Sequence, residues 1–114
     1  MEPESVRGRA EEEIARGERA RAEGNEGRAR ACARRAAGWA VEDHLARSGS
    51  LVRKRDAVDL LRRFRDRGEE PGDLREAAGR LTARVTPEHR LPHPEDPLED
   101  ARRIVRALLP AEAG

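Results

Sequence analysis

Apolar residues recur along this chain at intervals of three and four and never in strict alternation, so the pattern predicts helices and no strand. The cleanest stripe is Leu74, Ala77, Ala78, Leu81 and Val85, which predicts a helix reaching Val85. Leu98, Ala101, Ile104, Val105, Leu108 and Leu109 form a second. It opens on Asp96-Pro97-Leu98-Glu99, read as a capping carboxylate, a proline at the first helical position and a glutamate returning to the cap. Ala57, Leu60, Leu61 and Phe64 predict a third helix within 53–67. The stretch Gly68-Glu69-Glu70-Pro71-Gly72 closes it, because a residue before proline avoids helical geometry.

The first half of the chain is patterned in small residues. A helix over 3–22 carries Val6, Ala10, Ile14, Gly17 and Ala20, with Glu12–Arg16 and Glu13–Arg16 spaced for ion pairs. Gly24-Asn25 stops it, glycine suiting a left-handed cap and asparagine the next N-cap. A helix over 26–46 follows, with Ala29, Cys32, Ala33, Ala36 and Ala40 on one face. Ala31, Gly38 and Leu45 repeat every seven residues on another, and Ser48-Gly49-Ser50 ends it. The region 86–97 holds four prolines and two histidines and reads as an irregular loop. The expected architecture is one all-α domain over 1–114, an up-down bundle of four to five short helices.

Composition narrows the picture. Of the residues 41% are ionic, yet 24 cations against 23 anions leave a formal charge of +1, so long-range attraction to nucleic acid or lipid is weak. Mean hydropathy is −0.94, and no apolar run approaches the ~20 residues a membrane helix needs. The start, Met1-Glu2-Pro3-Glu4, is acidic and does not read as a signal peptide, so a cytoplasmic location is expected. Leu, Ile, Val and Phe total only 19 residues. Either the alanines are buried as well or a second copy completes the core, and a homodimer is the expectation. Ala31, Gly38, Trp39 and Leu45 are the candidate interface residues, since small side chains let backbones approach closely and aromatics favour interfaces.

Three stretches resemble the HEPN-type helical domains, the higher-eukaryote and prokaryote nucleotide-binding superfamily. They are GNEGRARACARRAAGWAVEDHLARSG, DAVDLLRRF, and LREAAGRLTARV with the RLPHPEDP loop and the closing DARRIVRALL helix. The resemblance spans roughly 10–109. It implies a bundle of about four long helices plus a short one, often a homodimer, whose members bind nucleotides or RNA, cleave RNA, or partner small nucleotidyltransferases. Ribonucleases of the family carry Arg, four to six residues, then His on an interface helix, the His acting on the ribose 2′-hydroxyl. Arg84 and His89 meet that spacing, but Pro87 interrupts the helix it needs.

The remaining candidates come from residue chemistry. Arg28, Arg30, Arg34 and Arg35 are the best phosphate-binding set, with Arg53, Lys54 and Arg55 next, because clustered forked guanidiniums suit phosphate. Trp39 and Phe64 are the only aromatic rings outside histidine, too few for a base-stacking platform. His89, His93 and Asp96 share a loop whose irregular backbone fixes no ligand geometry, so no metal or cofactor is expected. His44 reads as a histidine favoured near a helix C-terminus, and Cys32 as a buried inert thiol. The first functional expectation is a non-catalytic HEPN-like module that binds a partner protein or a nucleotide or RNA phosphate. A ribonuclease using Arg84 and His89, and a purely structural domain, are the alternatives.

Overall fold

The computed structural model describes residues 5–50, 56–85 and 90–110. They form five helices: α1 (Val6–Ala22), α2 (Glu26–Arg47), α3 (Ala57–Arg65), α4 (Gly72–Leu81) and α5 (Pro97–Leu108), with no strand among the described residues. The longest helix, α2, packs against all four others, which follow one another around it in the order α1, α5, α4, α3.

Four helices open on the residue types that cap best. Ser5 accepts from the Gly8 amide, Asn25 from Arg28, Asp56 from Asp59, and Asp96 from Leu98. Gly24 takes a φ of 82°, the left-handed turn that reverses the chain between α1 and α2. Several expected boundaries move. Ser5 caps α1, so that helix begins at Val6 and not at residue 3. The chain leaves helical geometry after Leu81, where the Thr82 hydroxyl donates to the Gly79 carbonyl, so Val85 is not part of the α4 stripe. At α5 the proline-led start forms, but Glu99 pairs with Arg102 and does not return to the cap.

The thin-core question resolves inside the chain. Ten alanines among the described residues are buried, including Ala29, Ala33, Ala36, Ala37 and Ala40 of α2, each fully shielded. Phe64, Leu61, Leu98, Ile104 and Val105 come from the surrounding helices to fill the space these methyls leave. An alanine-lined central stave thus brings four neighbours close, and their larger side chains complete the core.

Two of the four expected interface residues are used up by this packing. Leu45 is fully buried, and Gly38 faces Ala57 at the start of α3. A Cβ at Gly38 would stand 2.9 Å from the Ala57 Cβ and 3.1 Å from its Cα. Gly38 therefore packs α2 against α3, Leu45 lies in the core, and neither residue offers surface to a second chain. Gly38→Leu is expected to lower stability by roughly 1–3 kcal/mol through overpacking. A denaturant midpoint unchanged in that variant would show that the α2–α3 contact is looser than this spacing.

Arginine also finishes the helices. Arg75 Nε donates to the Arg65 carbonyl at the end of α3 (2.9 Å), and Arg34 Nε to the Leu81 carbonyl at the end of α4 (2.8 Å). At the end of α5, Arg47 reaches the Leu108 carbonyl (2.5 Å) and Arg7 the Leu109 carbonyl (3.2 Å). These carbonyls have no partner within their own helix and sit at the negative end of its dipole, where a guanidinium fits on both counts. Bidentate pairs brace the bundle further: Arg21 holds Asp96 at 2.9 and 2.7 Å, fixing the end of α1 to the cap of α5. That contact keeps the Asp96 carboxyl below its ordinary pKa.

Candidate functional site

Four arginines converge on a notch of about 400 Å³ between α1 and α2. Arg16 and Arg19 enter it from α1 and Arg28 and Arg35 from α2, with Glu13, Glu23, Ala20 and Cys32 completing its walls. Helical spacing explains the grouping. Residues 13, 16 and 20 share one face of α1, and residues 28, 32 and 35 share one face of α2.

Glu13 organises the notch. Its side chain is 1% exposed, an unusual place for a carboxylate. One carboxylate oxygen accepts from Arg16 at 3.1 Å, and the other from Arg35. Both arginine side chains remain more than half exposed, at 62% and 54%. A single buried anion thus anchors two cations whose remaining N–H groups stay open to solvent. Cys32 lines the notch beside Glu13; burial first, then the Glu13 charge, pushes its thiol pKa up, so it remains a protonated thiol at neutral pH. Among the described residues, Arg19 and Arg28 have no ion-pair partner within salt-bridge range.

The four arginines expected to act together on α2 divide between two sides of the helix. Arg28 and Arg35 line the notch. Arg34 is committed to the Leu81 carbonyl, and burial, helped by the nearby charge of Arg30, lowers its pKa. Arg30 accordingly belongs with Arg34 and not with the notch. Arg53, Lys54 and Arg55 lie outside the described residues. Sequence reasoning missed Arg16 and Arg19 as site residues and the burial of Glu13, for which it offered only the i,i+3 spacing to Arg16.

A second groove, of about 600 Å³, lies on the side of α2 that meets α3. Arg35 lines it as well as the notch, together with Arg9, Ala31, Arg34, Trp39, Glu42 and Asp56. The guanidinium of Arg9 sits 4.6 Å from the Trp39 ring centre, a cation–π contact. Trp39 and Ala31 are both half-buried, and they are the two candidate interface residues that keep surface.

The histidine candidates are placed apart. His44 Nε2 lies 3.0 Å from Glu70 of the α3–α4 connection, and its ring meets Phe64 edge-on at 5.9 Å. It is tied to a specific carboxylate and not merely favoured by the helix end. His93 bonds the Arg80 carbonyl at 3.3 Å while Asp96 pairs with Arg21, so these two turn to different partners. Arg84 is exposed beyond the end of α4, off any helix, and His89 lies outside the described residues. The helical frame that the Arg–His spacing requires is absent at Arg84.

No family model, curated protein or solved structure matches the chain.

Proposed function

We propose that this chain is a non-catalytic helical module, HEPN-like in type, that binds the phosphate of a nucleotide or RNA in the notch between α1 and α2. The observation that carries the reading is the convergence of Arg16, Arg19, Arg28 and Arg35 on one concavity. Guanidiniums present paired N–H donors matched to phosphate oxygens, and charged hydrogen bonds of this kind are the strong ones. Glu13 supports the reading because it holds Arg16 and Arg35 in place before any ligand arrives, which lowers the ordering entropy a ligand must overcome. The weak net charge of the chain fits a local site better than a wide nucleic-acid surface.

Adenosine triphosphate and a short RNA, titrated at low ionic strength, are expected to raise the melting temperature, since a ligand that binds only the folded state stabilises it. Arg28→Ala with Arg35→Ala is expected to abolish that rise while leaving the helical circular dichroism intact. A rise that persists in the double variant would move the site elsewhere. The same preparation is expected to leave the RNA uncut; cleavage lost on His89→Ala would establish the ribonuclease reading in its place.

Action as a homodimer is a further element of the proposal, favoured by the half-buried Trp39 and Ala31 beside a groove of mixed charge. The groove is lined by both signs of charge, Arg9, Arg34 and Arg35 with Glu42 and Asp56, which suits a surface that complements itself across a two-fold axis. Sedimentation equilibrium over a wide dilution range tests it, with a persistent 12.7 kDa species as the outcome that removes it.

A further inference from the structure

From the notch's charge and shape we infer that its ligand is a compact diphosphate group, as in pyrophosphate or a nucleoside di- or triphosphate, in preference to the internal phosphodiesters of a nucleic-acid strand. The inference rests on the proposed phosphate site and names the chemistry it selects.

Charge is the first argument. Four guanidiniums and the two carboxylates Glu13 and Glu23 leave an excess of two positive charges inside one concavity of about 400 Å³. A phosphodiester brings a single negative charge per residue and spreads the next one a nucleotide away. A diphosphate brings two or more within one group, and so matches a concentrated cationic bowl.

Continuity is the second argument. A strand gains affinity by neutralising successive phosphates, which needs cations along a track, and by stacking bases on aromatic rings. On α2 the notch continues through Arg35 into the Trp39 groove. There the other cations are already engaged, Arg34 by the Leu81 carbonyl and Arg9 by the Trp39 ring, while Glu42 and Asp56 add negative charge. At the other end of the notch stands Glu23. A strand leaving the notch past Arg35 or past Glu23 therefore meets carboxylates or occupied arginines.

The third argument concerns donors. Glu13 takes one N–H from Arg16 and one from Arg35, leaving most of each fork available, and Arg19 and Arg28 add complete forks. That many donors around one centre suits the crowded oxygens of a diphosphate and exceeds what one diester can accept.

The test is calorimetric titration of the full chain at fixed low ionic strength with three probes: pyrophosphate, inorganic phosphate, and a short RNA bearing hydroxyl groups at both ends. Pyrophosphate is expected to bind most tightly, by roughly tenfold or more over the hydroxyl-ended RNA, the difference one or two charged hydrogen bonds make. Arg19→Ala and Arg28→Ala, both exposed and unpaired positions that should not disturb folding, are each expected to weaken pyrophosphate by about tenfold. RNA binding as tightly as pyrophosphate, with the same dependence on Arg28, would overturn the diphosphate inference and leave the phosphate site standing. Binding of none of the probes, or binding indifferent to both substitutions, would remove the site and the inference together.

Discussion

Asp100→Ala is expected to destabilise the fold by about 3 kcal/mol, near the lower end of the range for breaking a buried ion pair. Asp100 is 2% exposed on the first turn of α5 and accepts two hydrogen bonds from Arg80 of α4, at 2.9 and 2.8 Å. This pair ties α4 to α5, and it holds the Arg80 guanidinium more firmly in its charged form. Truncation leaves that charge at 18% exposure without its closest partner. The loss is kept from the upper end because Glu95 stands 3.7 Å away and can move in. Against a typical total stability of roughly 5–15 kcal/mol, the denaturant midpoint should fall visibly. Replacing both members of the pair, Arg80→Leu with Asp100→Leu, is expected to recover much of the loss, because no unpaired charge then remains inside. A double variant as unstable as the single one would mean that the pair is itself a net source of stability.

That pair belongs to a wider use of arginine that sequence alone does not disclose. A run such as Arg28, Arg30, Arg34, Arg35 gives the same string whether its members face solvent, phosphate or protein. In the fold they separate. Arg34 closes the end of α4, while Arg28 and Arg35 face the notch beside Arg16 and Arg19 of another helix. The assignment depends on which helix ends lie within reach of each guanidinium, and that is a property of the packed bundle. Arg7, Arg47 and Arg75 are spent on carbonyls in the same way. Half of the candidate phosphate site was legible in α2, and the other half waited on knowing that α1 lies beside it.

The helices themselves were readable where large apolar residues mark one face. Leu98, Ala101, Ile104 and Val105 left little freedom in placing α5, and its capping aspartate and first-turn proline agree with them. α2 behaves differently. Small residues lie on two of its faces, and an alanine or glycine stripe records close approach without saying what approaches. Gly38 and Leu45 fit a second chain as well as an internal neighbour on the wheel; the geometry gives them to α3 and the core. The burial of Glu13 is hidden in the sequence for a related reason, although its pairing with Arg16 is as the spacing suggests. An i,i+3 spacing to Arg16 is the mark of a surface pair, and only the arrival of Arg35 from α2 makes burial of that carboxylate tolerable.

The alanine-lined stave also sets where the fold is most vulnerable. Phe64→Ala is expected to cost about 3–5 kcal/mol, the usual range for truncating a buried aromatic ring. Phe64 is fully buried on α3 and is the largest side chain so enclosed among the described residues. The core residues of α2 around its centre are mostly alanines, which have no side-chain length with which to move into the vacated volume. Relaxation would have to come from the helices shifting, and α3 is already held against α2 by the Gly38–Ala57 contact. The cavity should therefore stay largely open, which places the loss toward the top of the range. His44, which meets the ring edge-on while bonded to Glu70, loses one wall of its pocket at the same time. Phe64→Leu, which keeps most of the volume, should lie well above Phe64→Ala in denaturant midpoint. Equal midpoints for the two variants would show that the core around α3 collapses freely, and that the close packing of α2 does not constrain it.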